Sequence, residues 1–440
     1  MARLTSLLSA ATVAACLALP ASAGAATAID FFFPVPVDGK LAKEMQRLVK
    51  LFNEEHPEIQ VTPAYTGNYD ETKIKAQAAA AAGKPPAVVL MSANFVYELA
   101  LQDQILPLDP MIEADGTSKD AFMEDFWPAL HKNAEFNGHV WAVPYHNSTP
   151  LLYYNTDHFQ EVGLDPDQPP VTWQDWVDAA KKLTVRDGDQ VERYGLTMSG
   201  SYDMLGWTMS ALTMSNGGLY YNPDWGGEVY YDTPSMLGAL TLWDDLIHKH
   251  KVTPEGVVDN KGVSSSFLAG QTSMVILSTG SLSFIRENME GHYKVAFVPK
   301  NVRNAVAIGG ASLVMFKGAT EEQQQAGWTF ANWLTTPENL GSWSRFTGYF
   351  APRQSSYALP EMQQFLDENP DAAVALDQLR FAQPWFATYN TVAVRKALED
   401  EVQAVLSGTK KPKEALEAAQ ANADAIMKPF VDSTALALPN

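Results

Sequence analysis

Cysteine is nearly absent from this 440-residue sequence. The one that occurs, Cys16, stands ahead of Ala23 in the N-terminal apolar stretch. The rest of the chain therefore forms no disulfide and offers no cysteine nucleophile or thiolate metal ligand. Positive charge is also scarce: 31 Lys and Arg stand against 51 Asp and Glu, a formal net charge of −20. Such a surface repels phosphate backbones and anionic lipids, which argues against nucleic-acid and membrane-surface binding. No apolar run after Leu19 is long enough to cross a bilayer, so no membrane insertion is expected. Fixed-period repeats and low-complexity tracts are missing as well.

What is present begins with an export signal. Met1-Ala2-Arg3 is a short basic start, Leu4 to Leu19 is apolar and uncharged, and Pro20 precedes the small-x-small pattern Ala21-Ser22-Ala23. Cleavage there makes residues 1–23 a signal peptide and places the mature chain in the periplasm. A rival reading takes Val13-Ala14-Ala15-Cys16 as a lipoprotein box with Cys16 as a lipid anchor. The apolar Leu17-Ala18-Leu19 that follows suits the interior of a signal core better, which favours the soluble form.

The mature chain is long enough for two domains with a substantial core. Strand patterns at Ala28 to Phe33, Ile59 to Tyr65 and Pro86 to Met91 alternate with amphipathic helices at Gly39 to Glu55 and Asp70 to Ala82. A third helix runs to Gln102, with Asn94 as its candidate cap. This alternation predicts an α/β domain with a largely parallel sheet, whose ligand lies at the carboxyl ends of the strands. Thr172 is a candidate cap for a helix over Trp173 to Leu183, and Thr233 for one reaching His250. Further strands are expected at Tyr194 to Met198, Thr272 to Leu277, Tyr293 to Pro299 and Ala305 to Phe316. Helices at Glu321 to Leu334, Pro360 to Glu368, Val392 to Leu406 and Pro412 to Met427 form a tail that wraps an existing domain.

Enzyme signatures are thin. G-x-S-x-G, GxxxxGK, HExxH and GxGxxG are all missing. His248 and His250 are two apart on a helix and face different sides, so no metal site is indicated. The adjacent carboxylates Asp244-Asp245 and Glu399-Asp400-Glu401 read as solvated helix faces. Sequence alone leaves a distant glycosidase carboxylate pair open.

Several runs together resemble the extracellular solute-binding proteins of ABC importers, most closely the glycerol-3-phosphate binders. They are Thr66-Gly67-Asn68-Tyr69, Asn147-Ser148-Thr149-Pro150-Leu151-Leu152-Tyr153-Tyr154-Asn155, and Gly163-Leu164-Asp165-Pro166 to Thr172-Trp173. Ser278-Thr279-Gly280-Ser281-Leu282, Ile308-Gly309-Gly310-Ala311-Ser312-Leu313 and Thr347-Gly348-Tyr349 complete the series in the family's order.

The resemblance implies a two-lobed periplasmic-binding-protein fold, with hinge-linked lobes closing on one small polar solute and a helical C-terminal tail. It places residues 24–149 in the first part of lobe 1 and 150–282 in the first part of lobe 2. Residues 283–318 return to lobe 1, and 319–440 return to lobe 2 with the tail. Crossovers are expected near Thr149 to Asn155, Thr279 to Ser283 and Phe316 to Ala319. The implied partner is an ABC transporter permease, the protein is expected to be a monomer, and neither a cofactor nor catalysis is expected.

The implied ligand-binding positions are Tyr69, Ser148, Ser278, Thr279, Gly309, Gly310 and Tyr349. Hydroxyls at five of these can donate to sugar or phosphate oxygens, and the glycine pair lets a ligand approach backbone N–H groups. The pair also fits a bulge or a close strand crossing. Of 11 tryptophans, Trp173, Trp176, Trp328 and Trp333 read as helix packing, whereas Trp207 and Trp385 lie beside loops and are ligand candidates.

Two departures bear on the ligand. Where the glycerol-3-phosphate binders carry an arginine before the helix near Val392, this sequence has Ala387. Where they carry a carboxylate after the third strand, it has Ala93 between Ser92 and Asn94. Arg353 and Arg380 are candidate replacements for the missing cation. The aromatic run Trp385-Phe386 with Tyr389 suits a sugar face or a cationic head such as choline. Glycerol-3-phosphate or a glycerophosphodiester is expected, with a mono- or oligosaccharide as the alternative and an exported glycosidase as a remote one.

Overall fold

The computed structural model describes residues 25–34 and 40–434. The expected signal peptide, with Cys16, lies outside the described residues. The principal elements, in chain order, begin with β1 (Thr27–Phe33), α1 (Lys40–Glu55), β2 (Ile59–Tyr65), α2 (Tyr69–Ala81) and β3 (Val88–Ser92). Next come β4 (Val143–Ser148), β5 (Pro150–Asn155), α3 (Trp173–Leu183), α4 (Met204–Ser215) and α5 (Pro234–Asp244). Then follow β6 (Met274–Ser278), β7 (Tyr293–Ala296), β8 (Gly309–Val314), α6 (Glu321–Leu334), α7 (Pro337–Thr347), α8 (Thr391–Leu406) and α9 (Pro412–Thr434).

Two sheets organise the two lobes. The first has the order β2-β1-β3-β8-β4. Its first three strands are parallel, and β8 runs antiparallel to both β3 and β4. In β1, Ile29, Phe31 and Phe33 point to one face, where they meet the buried stripe Met45, Leu48, Val49 and Phe52 of α1. Burial of several such side chains, at about 1.5–3 kcal/mol each, dominates the stability of this lobe. The second sheet, β6-β5-β7, is antiparallel throughout. The stretch Tyr194 to Met198 adds only single parallel bridges, Tyr194 to Thr272 and Thr197 to Val275.

Capping chemistry behaves as the sequence suggests at α3, where Thr172 and Asp175 form a reciprocal capping box, and at α5, where Thr233 accepts from Met236 N. Such caps contribute about 1 kcal/mol. Asn94 does not act as a cap. It sits inside a 3-10 turn, Ala93–Phe95, and is wholly buried. The helix expected to reach His250 changes at Asp245 into a wider π-type turn ending at Lys249.

The lobe boundaries require correction. Tyr293–Ala296, expected in the return to lobe 1, pairs with β5 in the second sheet, so the return is made by β8. Nor does the chain pass to lobe 2 at residue 319. Trp328, Phe330 and Leu334 of α6 and Trp343 of α7 lie in the same core as β1. The passage occurs later, between Met362 in that core and Ala375 against the second sheet. Apolar periodicity identifies a strand or helix without saying which sheet edge is free to receive it. The helices α8 and α9 close the second lobe, packing Val394, Leu398, Val402, Leu416 and Met427 into its core.

The lobes meet where β4 gives way to β5. Thr149 N donates to Thr279 Oγ1 at 3.3 Å and Thr279 N donates to Thr149 O at 2.9 Å. Buried Gln378 donates to Thr149 Oγ1 at 3.1 Å and to Pro150 O at 2.7 Å, and accepts from Val298 N at 3.1 Å. One amide thus ties together all three chain passages between the lobes.

Candidate functional site

The carboxyl ends of the parallel strands gather the polar groups. Tyr69 and Asp70 open α2 just after β2, and Asn94 follows β3. Because β8 runs antiparallel, its first residues, Gly309 and Gly310, lie at this same end, paired with Ser148 and Asn147. The capping box of Asn68 and Glu71 fixes the start of α2 and so the direction of Tyr69.

An aromatic stack forms one wall. His146 Nε2 lies 2.9 Å from the Tyr69 hydroxyl. The imidazole is stacked on Tyr349 at 4.8 Å and on Trp343 at 6.1 Å between ring centres. Burial lowers the His146 pKa to about 3, so the ring is neutral. Burial also pushes the Tyr349 hydroxyl up to about 12 and raises that of Tyr69, which keeps both as hydrogen-bond donors. The Tyr349 ring lies against the opposite lobe: a Cβ built on Gly280 would come within 2.5 Å of it.

The glycine pair has a packing role. Gly310 has φ +89°, and a Cβ there would lie 2.0 Å from His146 O. At Gly309 a Cβ would meet the Trp207 ring at 2.8 Å. Trp207 is held there by donating to Ala307 O at 3.1 Å. Ser278 and Thr279 likewise have local tasks. Ser278 Oγ accepts from Gly280 N at 3.1 Å, and Thr279 joins the hinge. Trp385 is buried in the core of the second lobe, with its backbone bound twice by the Asn133 amide. Trp173, Trp176 and Trp328 are buried in cores as read from the sequence.

The charged groups at the junction were not foreseen. Arg395 of α8 has a side chain only 2% exposed and binds Asp70 at 2.9 Å, Asp203 at 2.9 Å and Glu399 at 3.3 Å. Glu399 also accepts from Asp203 N at 2.6 Å and Gly206 N at 3.1 Å. Burial raises Asp203 to about 6 and Glu399 to about 7, against the attraction of Arg395. The expectation that Glu399-Asp400-Glu401 is a solvated face holds for Asp400 and fails for Glu399, which is wholly buried. The signal was available in the spacing: Arg395 and Glu399 stand four apart within the apolar stripe Val394, Leu398 and Val402.

Neither arginine proposed as a replacement cation reaches this place. Arg353 is held in lobe 1 by Thr335 O at 2.7 Å and Asp125 at 3.3 Å, over the Phe126 ring. Arg380 is exposed and lies over Phe381. Several buried polar atoms near the junction have no hydrogen-bond partner: Asp70 Oδ1, Asn94 Nδ2, His146 Nδ1, Asn147 Oδ1 and Thr388 Oγ1. Groups of this kind are rare in a folded protein and point to something that pairs with them. Among the described residues no cluster of metal ligands forms, and no helix is long and apolar enough to cross a membrane.

Two lobes, a hinge crossed three times and unpaired polar atoms between them are the anatomy of a capture protein. A family model for bacterial extracellular solute-binding proteins matches residues 47–374. The chain belongs to that family. The sn-glycerol-3-phosphate-binding periplasmic protein UgpB of Pectobacterium atrosepticum is 31% identical over 96% of this chain and 97% of its own length. The Escherichia coli protein of the same name is 29% identical over 95% and 96%. Among solved structures, UgpB from Mycobacterium tuberculosis in complex with glycerophosphocholine superposes with a TM-score of 0.81 at 25% identity, covering 92% of this chain and all of that one. Maltose-bound MalE3 of T. maritima shares the fold, with a TM-score of 0.79 at 24% identity over 92% of this chain and all of its own. This solute-binding protein thus has the two-lobed fold expected from its sequence.

Proposed function

We propose that this binding protein captures a glycerophosphodiester with a cationic head group, of the glycerophosphocholine type, in the periplasm. It closes its lobes on the ligand and presents it, as a monomer, to the permease of an ABC importer. Closure stabilised by differential contacts is what such a permease reads. The protein binds its solute and does not turn it over.

The observation that carries this choice is the environment of Arg395. One guanidinium stands among three carboxylates, so it is no free anchor for phosphate. A doubly charged phosphate monoester entering beside them would be repelled, whereas glycerophosphocholine carries a single negative charge balanced by its trimethylammonium cation. The Tyr69, His146 and Tyr349 rings with Asp70 suit a cationic head, and the tyrosine hydroxyls can donate to phosphate oxygens. Carboxylate and aromatic surfaces also suit a saccharide, which is the second reading.

Thermal shift followed by calorimetry tests the proposal. The panel comprises glycerophosphocholine, glycerol-3-phosphate, inorganic phosphate, and several mono- and disaccharides. Glycerophosphocholine at ~100 times its dissociation constant should stabilise the protein by about 2.7 kcal/mol, well ahead of glycerol-3-phosphate. A response to sugars alone would replace this reading with the saccharide one. Hydrolysis of any panel member would refute a pure binding role.

A further inference from the structure

A cavity of about 600 Å³ lies apart from the site described above, and none of the groups around Tyr69, His146 and Tyr349 lines it. Small-molecule sites fall in the range of roughly 300–1,000 Å³. One wall comes from the end of the helix Leu282–Asn288 and the residues after it, Arg286 to Glu290, and a second from Tyr293 to Val295 of β7. The third runs from Glu368 to Asp371, with Val374. Glu368 ends the helix Pro360–Glu368, whose Met362 and Phe365 belong to the core of lobe 1. Val374, in the helix Pro370–Gln378, packs against the second sheet. The cavity therefore sits at the last passage of the chain between the lobes.

Every cation at this cavity already has a carboxylate. Arg286 binds Asp371 through two nitrogens, at 2.8 and 3.2 Å, and lies over the Phe365 ring at 5.3 Å. Tyr293 donates its hydroxyl to the same carboxylate at 2.6 Å. Lys294 pairs with Asp167, and Lys40 of lobe 1 pairs with Glu287. Two carboxylates remain over. Among the described residues Glu290 and Glu368 enter no ion pair, and both stand exposed at the rim. Deeper in, Val295 is buried and Val374 half-buried, which gives the cavity an apolar floor. An anion would meet two uncompensated negative charges here, whereas a positive end with an apolar body satisfies both the rim and the floor.

We infer that this cavity is a second small-molecule site, one for an organic ammonium ion with an apolar body. Such a site is separate from the solute cleft and independent of what fills it. Glu368 belongs to lobe 1 and most of the lining to lobe 2, so a guest touches both and fits one lobe angle better than another. The contacts Lys40 to Glu287 and Arg286 to Phe365 cross between the lobes at the same place. Occupation thus biases closure, and a solute that closes the cleft changes the affinity for the guest by the same factor.

Saturation-transfer NMR on the mature protein tests this with n-hexylammonium, 1-hexanol and hexanoate at neutral pH. Hexylammonium should bind with a Kd of about 1 mM, as its few non-hydrogen atoms allow. The neutral alcohol should bind about tenfold more weakly, and hexanoate not at all. Glu290→Gln combined with Glu368→Gln should weaken hexylammonium about three- to tenfold and leave 1-hexanol unchanged. Both side chains are exposed, so the Tm of this variant should match the parent's. Equal binding of the three probes would overturn the site, as would hexylammonium binding that ignores the double change. A hexylammonium-soaked crystal with the probe in the cleft alone would overturn it too. Small-angle scattering should show a changed radius of gyration when hexylammonium saturates the parent; identical curves would overturn the link to the hinge. The solute panel reports on the cleft alone. A response there to sugars only, or none, removes the glycerophosphodiester reading, whereas the hexylammonium results decide the second site by themselves.

Discussion

Arg395 in the second lobe reaches across the junction to Asp70 in the first, at 2.9 Å. Asp70 adjoins Tyr69, so the bridge couples the lobe junction to the aromatic wall of the candidate site. The guanidinium is aimed by Glu399 and Asp203 from its own lobe, which spares it the entropy of searching for its partner. The two ends of the bridge differ in burial. Arg395 is 2% exposed, whereas the Asp70 side chain is 35% exposed.

That difference predicts unequal mutations. Arg395→Met strands Glu399, which has no exposure, and should destabilise the protein by about 3–5 kcal/mol in urea unfolding. Asp70→Asn leaves Arg395 with two carboxylates and should cost about 1 kcal/mol or less. It should nonetheless shift the unliganded protein towards open lobes, read by small-angle scattering. Equal destabilisation by the two changes would mean that the bridge is not organised from the second lobe.

Titration follows from burial, with two opposite signs. The folded pKa of His146 is lowered from 6.5 to about 3, so the unfolded chain binds the extra proton between these values. Its contribution to stability is whole above pH 6.5 and is lost progressively as pH falls towards 3. Glu399 and Asp203 are raised to about 7 and about 6, so their contributions are whole below about pH 4 and are lost as pH rises through those values. Thermal melts should therefore show His146→Phe gaining on the parent as pH falls below 6.5. Glu399→Gln should gain on it as pH rises towards 7. Parallel curves would show that neither group titrates differently on folding.

The hinge depends on one amide. Gln378→Leu removes two donors and an acceptor and leaves Thr149 Oγ1, Pro150 O and Val298 N without these partners at the chain passages. The expected loss is about 1–3 kcal/mol in chemical denaturation, with ligand affinity falling because the lobes no longer share a fixed closing path. Gln378→Glu should retain the two acceptor-side contacts poorly, since a carboxylate cannot donate to Thr149 or Pro150. An affinity and stability equal to the parent's would show that the three passages hold without it.

Much of the architecture was legible because it depends on local pattern. The stripe Met45, Leu48, Val49 and Phe52, the alternating β1 and the caps Thr172 and Thr233 are statements about neighbours in sequence, and each forms as read. The order of the motif runs carried the family. Assignment of β7, α6 and α7 to lobes failed because it concerns which sheet each meets, a long-range matter on which periodicity is silent. Ser278 and Thr279 show the same limit at the level of a side chain: a hydroxyl at the hinge has the same letter whether it faces a solute or caps a turn.

The sequence by itself determined an acidic, two-lobed solute-binding protein with no cysteine after Cys16. Only the tertiary structure decided which polar and charged groups meet at the lobe junction. Asp70, Asp203, Arg395 and Glu399 are far apart in the chain or lie within ordinary helix pattern, yet folding brings them within ion-pair distance. Asn94 and Thr388 are common residues until burial removes their water and leaves an amide and a hydroxyl unpaired. Composition counts charges and hydroxyls, whereas desolvation and mutual distance fix what each of them can bind.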